Sequence, residues 1–310
     1  MRGSVVSKRE KGSDLRRLIL GIRGEVRFCE PMSRHTSLGI GGPADLMVFP
    51  QDEEDLRLLI SRIHDEELPV MVVGAGSNLL VKDGGVRGVV IKLSRFRRLS
   101  PVHGGLWAEA GVPLPALLKQ GLDQGMEGYE FLYGIPGTVG GAVTMNAGTH
   151  EGETAPLVRE VRFLTFKGEL LEFKGTELQF DYRYCKLPPG IVMGALLEMR
   201  SGNDEKIQQR VQRYRERRNA TQPLNLPNVG SIFKNPRGDY AGRLVEEVGL
   251  KGEQVGGAQI SKKHGNFIVN LGGATARDVL ALIRRVGERV HREKGIDLEL
   301  EVRIVGRDSV

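Results

Sequence analysis

An α+β fold spread over two or three domains is the class this sequence predicts, on three observations. The chain has 310 residues, and domains typically take roughly 100–200 residues each. Apolar residues keep helical spacing in some segments and form continuous or alternating runs in others, and the two kinds interleave along the first two-thirds. Glycine, at 42 of 310 residues, is roughly twice its usual share of ~7%. It gathers in short loops, where a backbone without Cβ can approach something closely.

Each element follows from its own pattern. Residues 14–24 predict a short basic helix with Leu15, Leu18, Ile19 and Ile22 on one face. Such a helix is either a packing arm for the domain that follows or a membrane-surface element. In DEEDLRLLISRIHDEE, Leu56, Leu59, Ile60 and Ile63 recur at helical spacing and Asp52 stands where it can cap the start. PVMVVG predicts a buried strand entering the loop GAGSN, and VRGVVIKL a second strand after Asp83-Gly84-Gly85. Leu114, Leu117, Leu118 and Leu122 mark a helix over 114–123. Strands at about 158–166 and 191–199 flank a loop carrying Asp181-Tyr182-Arg183-Tyr184.

A boundary is expected near 201–218. SGNDEKIQQRVQRYRERR predicts a charged helix with only Ile207, Val211 and Tyr214 as its seam, the basic run Arg210–Arg218 forming a solvated face. NATQPLNLPNVGS then predicts a linker or loop. A short helix at about 239–248, a strand FIVNL, a long helix with Val279, Leu282, Ile283, Val286 and Val290 on one face, and a final strand DLELEVRIV complete the chain. There is no internal repeat.

Composition excludes several classes. Lys+Arg number 45 against 39 Asp+Glu, a formal charge of +6; this suits an anionic ligand but is spread thinly. Aromatics are 5%, a poor supply for stacking nucleic-acid bases. Cys29 and Cys185 are the only cysteines, too few and too distant in sequence for a disulfide scaffold or a zinc site, and no metal is expected. The opening segment's longest apolar run is Leu18-Ile19-Leu20, too short for a signal peptide. The expectation is a cytoplasmic protein without membrane insertion.

Two glycine-rich segments carry the chemistry. Gly74-Ala75-Gly76-Ser77-Asn78 follows a buried strand, so its N–H groups and the Ser and Asn side chains can face an anion. It is no Rossmann fingerprint, since Leu79 stands where a third Gly or Ala belongs. The GxGxxA match at Gly39, Gly41 and Ala44 contains Pro43 and follows no apolar strand. The second segment, GIPGTVGGAVTMNAG from Gly134 to Gly148, predicts a tight, largely buried loop. Two such loops can grip a diphosphate-containing cofactor from both sides, or be ligand-free turns.

Three polar positions stand out, each with a plainer alternative. Ser231 lies in VGSIFKNP, in a pocket or as a turn residue. Arg183 sits between two tyrosines, oriented towards an anion or solvated. Glu301 lies on the acidic face of the last strand, which lines a cleft or meets water. His264, in SKKHGNF, is structural or phosphate-adjacent.

Taken together, HTSLGIGGPAD, VVGAGSNLLV, GIPGTVGGAVTMNAG, DYRY, VGSIFKNP, GGAQISKKHGNFIVN and LELEVRIVG resemble the UDP-N-acetylenolpyruvoylglucosamine reductase family (UDP-N-acetylmuramate dehydrogenases). The subtype resembled is the shorter one, without an extra substrate-covering loop. The resemblance implies a two-lobed FAD-binding domain of the vanillyl-alcohol-oxidase (PCMH) type, followed by a smaller α+β substrate-binding domain. The implied bounds are an arm over 1–33, lobes at about 34–99 and 100–203, and a C-terminal domain over 204–310.

It also implies non-covalent FAD, NADPH as co-substrate, and reduction of an enolpyruvyl ether to a lactyl ether in peptidoglycan precursor synthesis. Gly74, Ala75, Gly76, Ser77, Asn78, Leu79, Pro136, Gly137, Thr138, Gly140, Gly141, Asn146 and Gly148 fall on its FAD-binding segments. Ser231 falls on its proton donor, and Arg183 and Glu301 on its two other catalytic positions. Asn235 and Lys234 become substrate contacts. Thr221 stands where relatives commonly carry Lys, so Lys234 or Lys262 would have to replace that charge, and Cys185 stands where they commonly carry Ser. Small-molecule partners and a monomer are expected. The alternatives are an FAD-dependent oxidase of the same superfamily acting on a small sugar or hydroxy acid, and a non-catalytic nucleotide- or nucleic-acid-binding protein.

Overall fold

The computed structural model describes residues 11–309. Helix α1 (Lys11–Leu18) is shorter than the expected 14–24 and starts earlier. Bonds from Leu20 N to Arg17 O and from Ile22 N to Ile19 O, with Gly21 at φ +76, turn the chain out of the helix. Leu18 is nonetheless buried, and Leu15, Ile19 and Ile22 pack with it against the first lobe, as a packing arm requires.

Strands β1 (Glu25–Pro31), β2 (Pro43–Phe49), β3 (Val70–Val73) and β5 (Val86–Lys92) form one sheet in the order β1-β2-β5-β3. Both pairings of β5 are parallel. Helix α2 (Glu53–Asp65) covers this sheet because its apolar residues share one face: Leu56, Leu59, Ile60 and Ile63 bury against Leu46, Val48, Val89 and Ile91. Each such side chain contributes about 1.5–3 kcal/mol on burial. Asp52 accepts from Asp55 N at 3.0 Å, the predicted cap.

The second lobe is an antiparallel sheet. Its strands are β6 (Leu99–Val102), β7 (Gly105–Glu109), β10 (Val158–Thr165), β11 (Leu170–Lys174) and β14 (Gly190–Leu197), ordered β11-β10-β14-β7-β6. Short hairpins β8 (Gly148–Thr149)/β9 (Gly152–Glu153) and β12 (Gln179–Asp181)/β13 (Tyr184–Lys186) project from it. Helix α3 spans Leu114–Asp123, as its leucine spacing predicts. The second glycine-rich segment is not loop throughout, since Val139–Met145 form helix α4. Val139, Ala142 and Val143 point into the core, and Gly140 lets the helix lie against Ala110, whose Cβ would be 2.9 Å from an added one.

Helix α5 (Asp204–Thr221) leads into the C-terminal sheet of β15 (Asn228–Ser231), β16 (Gln254–Val255), β17 (Ala258–Ile260) and β18 (Phe267–Asn270), ordered β15-β18-β17-β16. Helices α6 (Ala241–Glu247) and α7 (Ala276–Lys294) complete that core. In α7, Val279, Leu282, Val286 and Val290 are buried on one face, Thr275 and Asp278 form a capping box, and Gly295 at φ +68 ends the helix. The terminal segment is a ladder strand only at β19 (Arg303–Val305), which pairs parallel with β4 (Leu79–Val81) of the first lobe.

The C-terminal core also takes in Leu38, Ile40 and Leu80, and Asp83 accepts from Ala276 N and Arg277 N at 2.8 and 3.1 Å. The chain thus closes on its own beginning. None of the described helices is long and apolar enough to cross a membrane.

Candidate active site

A cleft of about 1630 Å³ opens where the three sheets converge. Its floor begins at the carboxyl ends of β3 and β5. There the GAGSN loop is pressed against backbone, since a Cβ at Gly76, which has φ +65, would lie 2.1 Å from His35 O. The two glycine segments touch: a Cβ at Gly74 would lie 2.6 Å from Thr138 Oγ1, and Ser77 Oγ donates to Pro136 O at 2.7 Å. These contacts hold the two loops against each other and leave backbone along the floor.

Every predicted residue of the first loop lines the cleft, as do Pro136, Gly137, Thr138, Gly140, Gly141 and Gly148. Asn146 does not. It is 1% exposed, with backbone φ +42, and its amide donates to Asp181 O and accepts from Ala155 N. It clamps α4 to the hairpin that carries Arg183.

Arg183, Ser231 and Glu301 all line the cleft as well. Arg183 occupies the two-residue turn between β12 and β13 with φ +57, a conformation uncommon for a side-chain-bearing residue. Its guanidinium lies 4.8 Å from the centre of the Tyr182 ring and its Nε donates to Glu301 Oε1 at 2.7 Å. Glu301 N donates in turn to Ile232 O at 2.9 Å, which brings the residue after Ser231 beside Glu301. Asn78 Nδ2 donates to Glu301 O at 3.0 Å, joining this group to the GAGSN loop. Burial pushes the Glu301 carboxyl above its ordinary range, and Arg183 pulls the other way.

Lys234 and Asn235 line the same cleft. Lys234 pairs with Glu299, and Asn235 Oδ1 accepts from Ala241 N at 3.1 Å, so the amide is fixed at the start of α6. Lys262 does not line the cleft, whereas Lys263 and His264 do. Burial lowers the His264 pKa, and its Nδ1 accepts from Asn266 N at 3.1 Å. Cys185 is 3% exposed at the cleft wall, and burial pushes its thiol up to about 11.

The charged helix departs from its predicted solvated face. Arg210 donates twice to the buried Glu130, at 2.8 and 2.6 Å, and Arg218 donates to Gly134 O at 2.8 Å. Arg217, Arg218, Thr221 and Gln222 line the cleft. Helical periodicity could not show this, because the partners lie about 80 residues away in sequence.

Residues 222–305 match the family model described as UDP-N-acetylenolpyruvoylglucosamine reductase, C-terminal domain, and residues 44–174 match that of an FAD binding domain. The UDP-N-acetylenolpyruvoylglucosamine reductase of Geobacter metallireducens is 48% identical over 94% of this chain and 98% of its own. The chain belongs to the UDP-N-acetylenolpyruvoylglucosamine reductase family. A second relative, UDP-N-acetylenolpyruvoylglucosamine reductase 2 of Symbiobacterium thermophilum, is 45% identical over 94% of this chain and 96% of its own. The crystal structure of the Thermus caldophilus reductase superposes with a TM-score of 0.78 at 40% identity, covering 91% of this chain and 98% of that one.

Like its reductase relatives, the chain is an oxidoreductase with a two-lobed FAD-binding domain of the PCMH type and a smaller α+β C-terminal domain. The cleft fits FAD. Its glycine floor offers backbone amides to a diphosphate, a Cβ at Gly141 would meet only Thr138 Oγ1, at 3.7 Å, and its volume exceeds the ~300–1,000 Å³ of an ordinary ligand pocket.

Proposed function

We propose that the chain reduces the enolpyruvyl ether of UDP-N-acetylglucosamine enolpyruvate to the lactyl ether of UDP-N-acetylmuramate, with NADPH as reductant. This would place it in cytoplasmic peptidoglycan precursor synthesis. The observation that carries this reading is the Arg183–Glu301 pair, 2.7 Å apart and brought together from 118 residues away beside Ser231. FAD, when bound, supplies the route by which hydride passes from NADPH to the substrate.

The chain's own residues handle charge and protons. Hydride addition to the β-carbon leaves an enolate whose charge spreads over the substrate carboxylate. Arg183, held over the Tyr182 ring and steered by Glu301, presents a planar guanidinium to that charge. Glu301, with its carboxyl raised by burial, can hold a proton on an enolate oxygen. Ser231, at the end of β15, protonates the α-carbon. Lys234 and the fixed amide of Asn235 meet the substrate's diphosphate, and Arg217 and Arg218 add the positive charge that Thr221 does not carry. The glycine loops hold the cofactor from the other side.

An anaerobic visible spectrum tests both halves. NADPH should bleach the flavin band, and UDP-N-acetylglucosamine enolpyruvate should restore it. Ser231→Ala should keep bleaching by NADPH nearly intact and slow the return by about 10²–10⁴-fold, the usual contribution of a positioned acid. Equal loss of both half-reactions would remove Ser231 from the proton-donor role. Bleaching by a small sugar or hydroxy acid in place of NADPH would identify an oxidase.

A further inference from the structure

The first lobe holds a line of charged and polar side chains that the reaction above does not use. Arg27 Nη1 donates to Glu30 Oε1 at 2.9 Å, and His35 Nε2 lies 2.9 Å from the same oxygen. Lys92 Nζ lies 3.2 Å from His35 Nδ1. Glu30 and His35 are 6% and 8% exposed, and the Phe49 ring closes the cluster, 5.9 Å from the His35 ring and 5.0 Å from the Arg27 guanidinium. Burial pushes the Glu30 carboxyl up, but the bonds from His35 and Arg27 outweigh it and hold it below its ordinary range. An ionised Glu30 fixes the imidazole tautomer: Nε2 carries the hydrogen, and the Nδ1 lone pair accepts from the Lys92 ammonium.

Lys92 is the last residue of β5, in register with Val73, the last residue of β3, and the GAGSN loop begins one residue later. Parallel strands present ligands at their carboxyl ends, and Lys92 lines the cleft there. Burial and the nearby cations Arg27 and Arg97 all work against its charge. An ammonium spends one of its three N–H groups on His35, which leaves two for a ligand in the cleft that Lys92 lines.

We propose that Lys92 is the cation that receives the diphosphate of FAD, aimed by the His35–Glu30–Arg27 line as its positioning group. The proposal rests on FAD as the cofactor and assigns a contact that neither glycine loop provides. The groups facing His35 are Glu30, Arg27 and Lys92, with Arg34 4.0 Å from Glu30 and Arg97 acting on Lys92. Of these groups, only a histidine ordinarily changes charge near neutral pH, so His35 is the member that titrates. Burial, opposed by Glu30, lowers its pKa, so it is neutral at pH 7. Protonation in acid removes the Nδ1 acceptor and sets a second cation against Lys92.

The test uses the full-length, FAD-loaded protein and reads flavin release, which needs no turnover. ADP-ribose, which carries the same diphosphate diester, should displace FAD at far lower concentration than adenosine. In Lys92→Met that preference should shrink tenfold or more, the size of a lost charge-assisted bond, and Lys92→Arg should keep it within about threefold. Release from the wild type should accelerate as the pH is lowered from neutrality, and His35→Gln should flatten that profile. An unchanged preference in Lys92→Met, or equal weakening of ADP-ribose and adenosine, would overturn the proposal, as would a pH profile that His35→Gln leaves intact. Wild-type protein that never retains FAD would instead refute the cofactor itself.

Discussion

The two walls of the cleft solve recognition by opposite means. The glycine-loop wall is backbone, fixed by contacts too close for a Cβ at Gly74 and Gly76. The wall of the β12–β13 turn, β15 and the terminal segment is side chain: Arg183, Ser231, Lys234, Asn235 and Glu301, drawn from three stretches of sequence. A backbone wall tolerates almost no substitution but is indifferent to charge, whereas a side-chain wall folds without a given residue and fails only in its own step. Mutations should therefore separate: one wall loses cofactor and stability together, the other loses turnover or substrate affinity alone.

The sharpest break of that contrast is predicted at Arg183. Arg183→Lys should lower kcat for the enolpyruvyl substrate by about 10²–10³-fold, because a point charge cannot replace a planar fork on a carboxylate. Bleaching by NADPH and flavin content should stay near normal; loss of flavin would erase the distinction between the walls. Next is Gly76→Ala. Left-handed strain of ~1–2 kcal/mol plus overpacking of ~1–3 kcal/mol predicts about 2–5 kcal/mol of destabilisation, read as a lower Tm and weaker flavin retention. A fully flavinated, equally stable Gly76→Ala would show that the loop moves.

A smaller effect is expected at Lys234. Lys234→Met should raise KM for the UDP-sugar several-fold to tenfold and leave kcat within about twofold, since a partly buried cation of this kind contributes uniform binding. The last comparison concerns the cysteines and leaves turnover untouched. Cys185, with its thiol raised to about 11 by burial, should be alkylated at pH 8 roughly a hundredfold more slowly than a thiol of ordinary pKa. The exposed Cys29 should react first, and mass spectrometry of the labelled protein would show the order. Rapid labelling of Cys185 would mean that the hairpin carrying Arg183 opens.

Much of the fold was legible because local patterns report local burial. The leucines of α3 and the apolar face of α7 predict those helices closely, and PVMVVG predicts β3. Other elements misled for equally physical reasons. A run of Gly-Gly between Val139 and Ala142 looks like loop, yet Val139, Ala142 and Val143 find a core and the segment becomes α4. The alternation of DLELEVRIV suggests one full strand, but the segment changes partners: Leu300 bridges to Phe233, and only Arg303–Val305 pair with β4. Of the positions expected to hold the cofactor, only Asn146 turns away from the cleft, because the chain's left-handed exit from α4 points it inward.

Ser231, Arg183 and Glu301 illustrate where sequence stops. Each had a plain alternative as a turn, solvated or surface residue, and only resemblance to relatives singled them out. Composition, periodicity and the glycine motifs determined by themselves an α+β chain with two backbone-rich loops suited to a phosphate-bearing cofactor. Tertiary structure alone decided that a loop arginine meets a glutamate 118 residues away, that the basic helix turns Arg217 and Arg218 into the cleft, and that Lys92 hangs from a buried histidine. The reason is range: periodicity records which face of an element is buried, whereas a site depends on which other element covers that face.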